Sequence, residues 1–188
     1  MRVNVIGTSG SGKTTFGRQL AEILNIPFIE MDAIFWGPNW KPLGDKVLFS
    51  RLAEALEGDR WVLDGNYSRT TPVKWQQVEV VLWLDFSFPR TLWQAVSRAI
   101  QRLISKEELW PGTGNRETLQ MLFSKESIVL WTITSYRRKR KNIIRMMAAP
   151  EFQHIRFHRL RSPEETAAYL NAVLQDPAAY YAGEVATG

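Results

Sequence analysis

The chain has no cysteine. A disulfide scaffold, a thiolate zinc site and a cysteine nucleophile are therefore excluded. Histidine is scarce: His154 and His158 flank or occupy a strand-like stretch without neighbouring acids, so they read as structural or surface residues and not as metal ligands. No segment approaches the roughly 18 uncharged apolar residues that a membrane-spanning helix needs. The opening apolar run after Arg2 is only four residues long, which reads as a buried strand and not as a signal peptide. A cytoplasmic location is the expectation.

Apolar residues make up 45% of the 188, enough for a real core in one domain. The formal net charge of +5 is unevenly spread. Residues 87–160 hold 14 Lys or Arg against 5 Asp or Glu, and the remainder is net negative. A basic half suits either triphosphate or nucleic acid.

Strand patterns fall at residues 2–6, 27–31, 61–63, 78–84 and 155–160, with helical patterns between them at 13–24, 43–56 and 89–104. A further helix is expected over 127–147, despite its β-branched start, and another over 163–174. Ser162 caps that last helix with Glu165 at its third position. Leu92, Val96, Ala99 or Ile100, and Leu103 form the expected core stripe of the helix after Pro89, and Trp61, Trp83 and Trp93 fall in core-like patterns. Alternating strands and helices predict an α/β fold around a parallel sheet. A single domain is expected over 1–175, with a basic lid-like excursion at 104–141 and a loosely packed tail over 176–188.

Gly7-Thr8-Ser9-Gly10-Ser11-Gly12-Lys13-Thr14 satisfies the phosphate-loop pattern G-x-x-x-x-G-K-[ST]. Its glycines let successive N–H groups turn inward toward an anion, and the following helix adds its free first-turn donors. Lys13 can reach the outer phosphates, the Thr14 hydroxyl suits Mg²⁺, and Thr15 extends the nucleotide-binding stretch. The dinucleotide fingerprint G-x-G-x-x-G fails here, because Thr15 stands where its third glycine belongs.

Asp32, Asp64 and Asp85 each follow an apolar strand, at the edge where open α/β sheets bind ligands. Any of them could serve magnesium or an acceptor, or simply close a strand. Asp85 has the most conventional look for magnesium, and the residues alone leave open which strand neighbours the first. Arg98 and Arg102 share one helical face. Arg137, Arg138, Lys139, Arg140 and Lys141 form an unbroken basic run, of which one or two can face a ligand. Phe35, Trp36 and Trp40 lie in a Gly/Pro-broken loop and either wall an acceptor pocket or cap the core edge.

With these residues in view the chain resembles small P-loop kinases related to adenylate kinase and shikimate kinase. On Met31-Asp32-Ala33-Ile34-Phe35-Trp36, Leu63-Asp64-Gly65-Asn66-Tyr67, Leu82-Trp83-Leu84-Asp85 and Tyr136-Arg137-Arg138-Lys139-Arg140, it is more similar still to adenylate-kinase-like proteins labelled DNA topology modulation proteins. That resemblance spans residues 2–174. It implies the P-loop fold of nucleoside-monophosphate kinases, with five parallel strands in the order 2-3-1-4-5 and helices on both faces. The third strand would then lie beside the first and bring Asp64 to magnesium. The resemblance also implies Asp32 as the acceptor-binding acid, and Arg69 as a phosphate or acceptor contact. Ile34 replaces the second acid of the shikimate kinase Asp-x-Asp pattern, which disfavours shikimate itself. Arg98, Arg102, Arg137 and Arg140 look like core and lid arginines.

The expected function is a kinase that passes the γ-phosphoryl group of Mg-ATP to a small molecule or nucleotide, acting as a monomer or homodimer. A nucleic-acid-associated ATPase is the alternative. A GTP switch is disfavoured, because no Asn/Thr-Lys-x-Asp segment is present.

Overall fold

The computed structural model describes residues 1–118 and 127–182. Five strands form one parallel sheet in the order β2-β3-β1-β4-β5: β1 Arg2–Gly7, β2 Phe28–Glu30, β3 Trp61–Asp64, β4 Val80–Leu84 and β5 Arg156–Leu160. In register, Val5 lies opposite Asp64 on one side, and Gly7 lies opposite Leu84 on the other. The phosphate loop therefore leaves the centre of the sheet with Asp64 on the neighbouring strand. The order matches the one the kinase resemblance implies.

Helices cover both faces, which explains why β3 and β4 are buried along their whole length. Side chains alternate across the sheet. Val3, Val5, Val62 and Leu82 point to a core closed by α1, Lys13–Leu24, and α7, Pro163–Gln175. Ile6, Trp61, Leu63, Val81 and Trp83 point to the other core, which holds Leu48 and Leu52 of α3, Asp45–Ala55. Trp61, Trp75 and Trp83 are almost wholly enclosed there, and truncating any one of them to alanine is a loss of about 3–5 kcal/mol.

The segment after β2 departs from the expected loop. Met31 already begins a short helix, α2, Met31–Phe35, followed by a single 3-10 turn at Pro38–Trp40. Helix α4, Thr71–Lys74, brings Trp75 into the core. Helices α5, Phe88–Ser105, and α6, Ile128–Met147, pack against each other. The β-branched start of α6 does not prevent a helix, because Thr132 and Ser135 are buried on its inner face and Ile143 continues that packing into the core.

Three expectations are corrected. Trp93 is 71% exposed and belongs to no core. The inner face of α5 is Thr91, Ala95 and Ala99, small residues that fit against the phosphate loop, so the larger apolar stripe is displaced outward. The tail is not loose through residue 182: α8, Pro177–Ala182, is capped by Asp176 and buries Tyr180 against Tyr169. The expected tail beyond 182 and the middle of the expected excursion, at 119–126, lie outside the described residues. Ser162 caps α7 by accepting from the Glu165 amide. Among the described residues, no helix is long and apolar enough to cross a membrane.

Candidate active site

A cavity of about 550 Å³ opens at the carboxyl edge of the sheet. Gly7, Ser9, Gly10, Lys13 and Thr14 line one end of it. Thr8, Ser11, Gly12 and Thr15 do not line it; Thr8 instead offers its carbonyl to the Lys13 ammonium at 3.2 Å and to the Ser11 amide. Gly10 shows why glycine is needed here. Its φ is +86°, and a Cβ would stand 2.9 Å from that of Ala95 and 3.0 Å from the Thr91 carbonyl oxygen.

The Thr14 hydroxyl donates to Asp64 Oδ2 at 2.5 Å, while Asp64 Oδ1 is buried without a partner. Burial pushes the Asp64 carboxyl above the usual carboxylate range, and the Lys13 charge and Thr14 hydrogen bond pull it back. A hydroxyl beside a carboxylate with one idle oxygen is a donor set that fits a hard divalent cation. Asp85 stands apart, outside the cavity lining. Its carboxylate receives the guanidinium of Arg140 at 3.0 Å and that of Arg159 at 2.5 Å, which ties α6 to β4 and β5.

The other end of the cavity is acidic and aromatic. Glu30 and Asp32 face it together with Phe35, Trp36, Tyr67 and Trp131. The Tyr67 hydroxyl donates to Asp32 Oδ1 at 2.5 Å, and burial together with the Asp32 charge pushes the phenol upward. Burial likewise raises Glu30, opposed by the Trp110 indole N–H that it accepts at 3.0 Å. Phe35, Trp36, Trp40 and Trp110 meet edge to face in series. Asn115 closes this wall by donating to the Gly37 carbonyl and accepting from the Trp40 amide. Ile34, at the place of the missing second acid, packs against the core.

Arg98 and Arg102 both reach the cavity. Arg102 pairs with Glu117 at 3.3 Å, whereas Arg98 has no ion pair among the described residues, and burial lowers its affinity for its proton. From the basic run the cavity receives Lys139 and neither Arg137 nor Arg140. Helical spacing is the reason: Lys139 shares a face with Ile143 and Met146, one and two turns on. Arg137 falls on the exposed side. Burial and the nearby Lys13 push the Lys139 ammonium down to about 8. Arg69 is turned outward by the 3-10 turn Ser68–Thr70, lies over the Phe35 ring and pairs with Asp45 at 2.7 Å.

Several cavity groups escape a reading of the sequence. Lys139 hides among five basics, and Glu30, Glu117 and Trp131 carry no local motif. Asn66 and Tyr67 stand in a distinctive Asp-Gly-Asn-Tyr string, which was a signal of position but not of role. His154 contacts the Trp75 carbonyl, and His158 packs on Tyr169. No group of three or more His, Cys, Asp or Glu placed to hold a metal ion occurs among the described residues.

A profile of the shikimate kinase family matches residues 9–37, from the phosphate loop to the start of the aromatic wall. A shikimate kinase of Corynebacterium diphtheriae is 33% identical over 102 residues, covering 45% of this chain and 57% of that protein. The chain thus spans little more than half the length of this relative. The crystal structure of shikimate kinase from Bacteroides thetaiotaomicron superposes with a TM-score of 0.52 at 15% identity, covering 93% of this chain and 97% of that one. A sugar kinase from Janibacter sp. HTCC2649 gives 0.51 at 19%, covering 94% and 95%. Shikimate kinase from Acinetobacter baumannii in complex with shikimate gives 0.52 at 16%, covering 94% of each chain. At such identities the structures establish the fold. The resemblance to DNA topology modulation proteins is corrected by these matches: both the family profile and the sequence relative are shikimate kinases, and alignment over 102 residues outweighs short shared strings.

Proposed function

We propose that this chain is an ATP-dependent small-molecule kinase, passing the γ-phosphoryl group of Mg-ATP to a hydroxyl of a small acceptor. One observation carries the reading: a single cavity has the phosphate loop at one end and Asp32, with its aromatic wall, at the other. The sequence match to shikimate kinases supports the same class.

In this reading the amides of the loop and the Lys13 ammonium stabilise the phosphate oxygens. Thr14 and Asp64 would hold magnesium. Bound there, the ion would offset the charge of the phosphate oxygens. Arg98 and Lys139, both without an ion pair among the described residues, are the cations available to the moving phosphoryl group. Asp32, oriented by Tyr67, accepts the acceptor's hydroxyl hydrogen bond, and Phe35, Trp36 and Trp131 exclude the water that would otherwise hydrolyse ATP. Arg137, Arg140 and Arg69 point elsewhere: Arg137 is exposed, Arg140 pairs with Asp85 and Arg69 with Asp45.

The test is a transfer screen with purified protein, Mg-ATP and a panel of sugars, cyclitols, hydroxy acids including shikimate, and nucleoside monophosphates. Phosphorylated acceptor formed in step with ADP is the expected result. ADP without any phosphorylated product, together with nucleic-acid binding that weakens steeply with salt, would replace the kinase by a nucleic-acid-associated ATPase.

A further inference from the structure

Lys74 is fully buried, one residue before the core tryptophan Trp75, in a position where lysine is rare. Its ammonium faces no carboxylate within ion-pairing distance among the described residues. It donates instead to two successive backbone carbonyls, Gly65 and Asn66, each at 2.9 Å. Those carbonyls belong to the turn that follows Asp64.

The turn is held from other sides as well. Asn4, buried in the central strand, donates to the Leu63 and Gly65 carbonyls at 2.9 and 3.2 Å and accepts from the Trp75 indole at 2.9 Å. Gly65 has φ +140°, and a Cβ there would fall 2.5 Å from that of Met31, so only glycine fits at this turn. Its next residue, Asn66, grips the first residue of the phosphate loop with its side-chain amide. The Gly7 N–H donates to Asn66 Oδ1 at 2.9 Å, and Asn66 Nδ2 donates to the Gly7 carbonyl at 2.6 Å.

We infer that Lys74 is a positioning residue for nucleotide binding, setting the Gly65-Asn66 turn so that Asn66 holds the entrance of the phosphate loop and Asp64 faces Thr14. The coupling is a chain of direct contacts, from Lys74 through the turn carbonyls and the Asn66 amide to Gly7. A buried lysine suits the task because its amino group has a donor for each of the two carbonyls and reaches the turn across the core on a flexible stem. Burial makes retention of its proton costly, pushing it down to about 7 with only Asp64 opposing. A lysine kept under that penalty is not there for core packing, which methionine would serve without cost. This inference deepens the phosphate-loop half of the kinase reading and requires no acceptor.

The experiment is calorimetric titration of Mg-ATP into wild type, Lys74→Met, Lys74→Gln and Asn66→Ala, well below each variant's melting temperature. Affinity should fall about tenfold or more in each Lys74 variant, the scale of losing charge-assisted hydrogen bonds. The double variant Lys74→Met/Asn66→Ala should lose little beyond Asn66→Ala alone, because both break one chain of contacts. A purely structural lysine would lower the melting temperature and leave the affinity of the folded protein untouched. Wild-type affinity in a folded Lys74 variant, or fully additive losses, overturns the inference. Should Lys74→Met not fold, Lys74→Gln keeps a donor at one carbonyl and decides the matter. Wild type that binds Mg-ATP but phosphorylates nothing defeats the kinase reading alone.

Discussion

The Thr14 hydroxyl and the Asp64 carboxylate meet at 2.5 Å, joining the first turn of α1 to the end of β3. Asp85, at the end of the other strand beside β1, is instead consumed by Arg140 and Arg159. The two acids, alike in sequence context, therefore separate by their partners.

Asp64→Asn should abolish most magnesium-dependent turnover while the protein stays folded. Asp85→Asn should leave turnover largely intact and cost about 1–3 kcal/mol of stability. That is less than a fully buried pair would lose, because both arginines are partly exposed. Steady-state kinetics beside urea melts separate the two, and the reverse ranking would move magnesium to Asp85.

Lys13→Ala should lower kcat/KM for Mg-ATP by about two orders of magnitude or more, the scale of losing a transition-state charge contact, with an unchanged circular dichroism spectrum. Among the described residues, the hydrogen bond of the Lys13 ammonium goes to the Thr8 carbonyl, within the loop itself, so the rest of the fold does not hang on it.

Gly10→Ala should impair nucleotide binding without touching any ligand-facing side chain. Its Cβ would press on Ala95 and Thr91 of α5, and φ near +86° is strained for alanine. Combining it with Ala95→Gly should restore part of the affinity by removing the Cβ–Cβ clash. No recovery would mean that backbone strain alone decides.

Tyr67→Phe should raise the KM for the acceptor and spare that for ATP, since the phenol hydroxyl donates to Asp32. Equal effects on both substrates would remove Asp32 and Tyr67 from the acceptor side.

Stability should rise with pH on account of Lys74. Its proton leaves near pH 7 in the fold but near about 10.4 in the unfolded chain. Between these values the unfolded state holds the extra proton, so the stability difference between wild type and Lys74→Met should grow with pH in wild type's favour, by at most about 1.4 kcal/mol per unit. Below pH 7 both states are protonated and the difference should be flat. Denaturant melts from pH 6 to 10 check this, and a difference that is flat throughout would contradict it.

The phosphate loop was legible because its chemistry is local: a strand, a glycine-rich turn and a helix start are contiguous, and backbone amides do the binding. The alternation of strands and helices was legible for the same reason, as was the Ser162 cap. Trp93 misled because a helical stripe reports amphipathicity without saying which neighbour lies opposite. Here Gly10 of the loop packs so close to Thr91 and Ala95 that α5 turns small residues inward. Lys139 rather than Arg137 or Arg140 reaches the cavity because the rotation of one helix selected it.

By itself, then, the sequence determined an α/β chain with a phosphate-binding loop, since those properties depend on residues adjacent along the backbone. Only the tertiary structure decided which acid stands beside Thr14, which cation faces the cavity and why a lysine is buried under the Gly65-Asn66 turn. Each of those depends on strand order or helix rotation, which bring together residues distant in the chain, as they do Thr14 and Asp64, 50 positions apart.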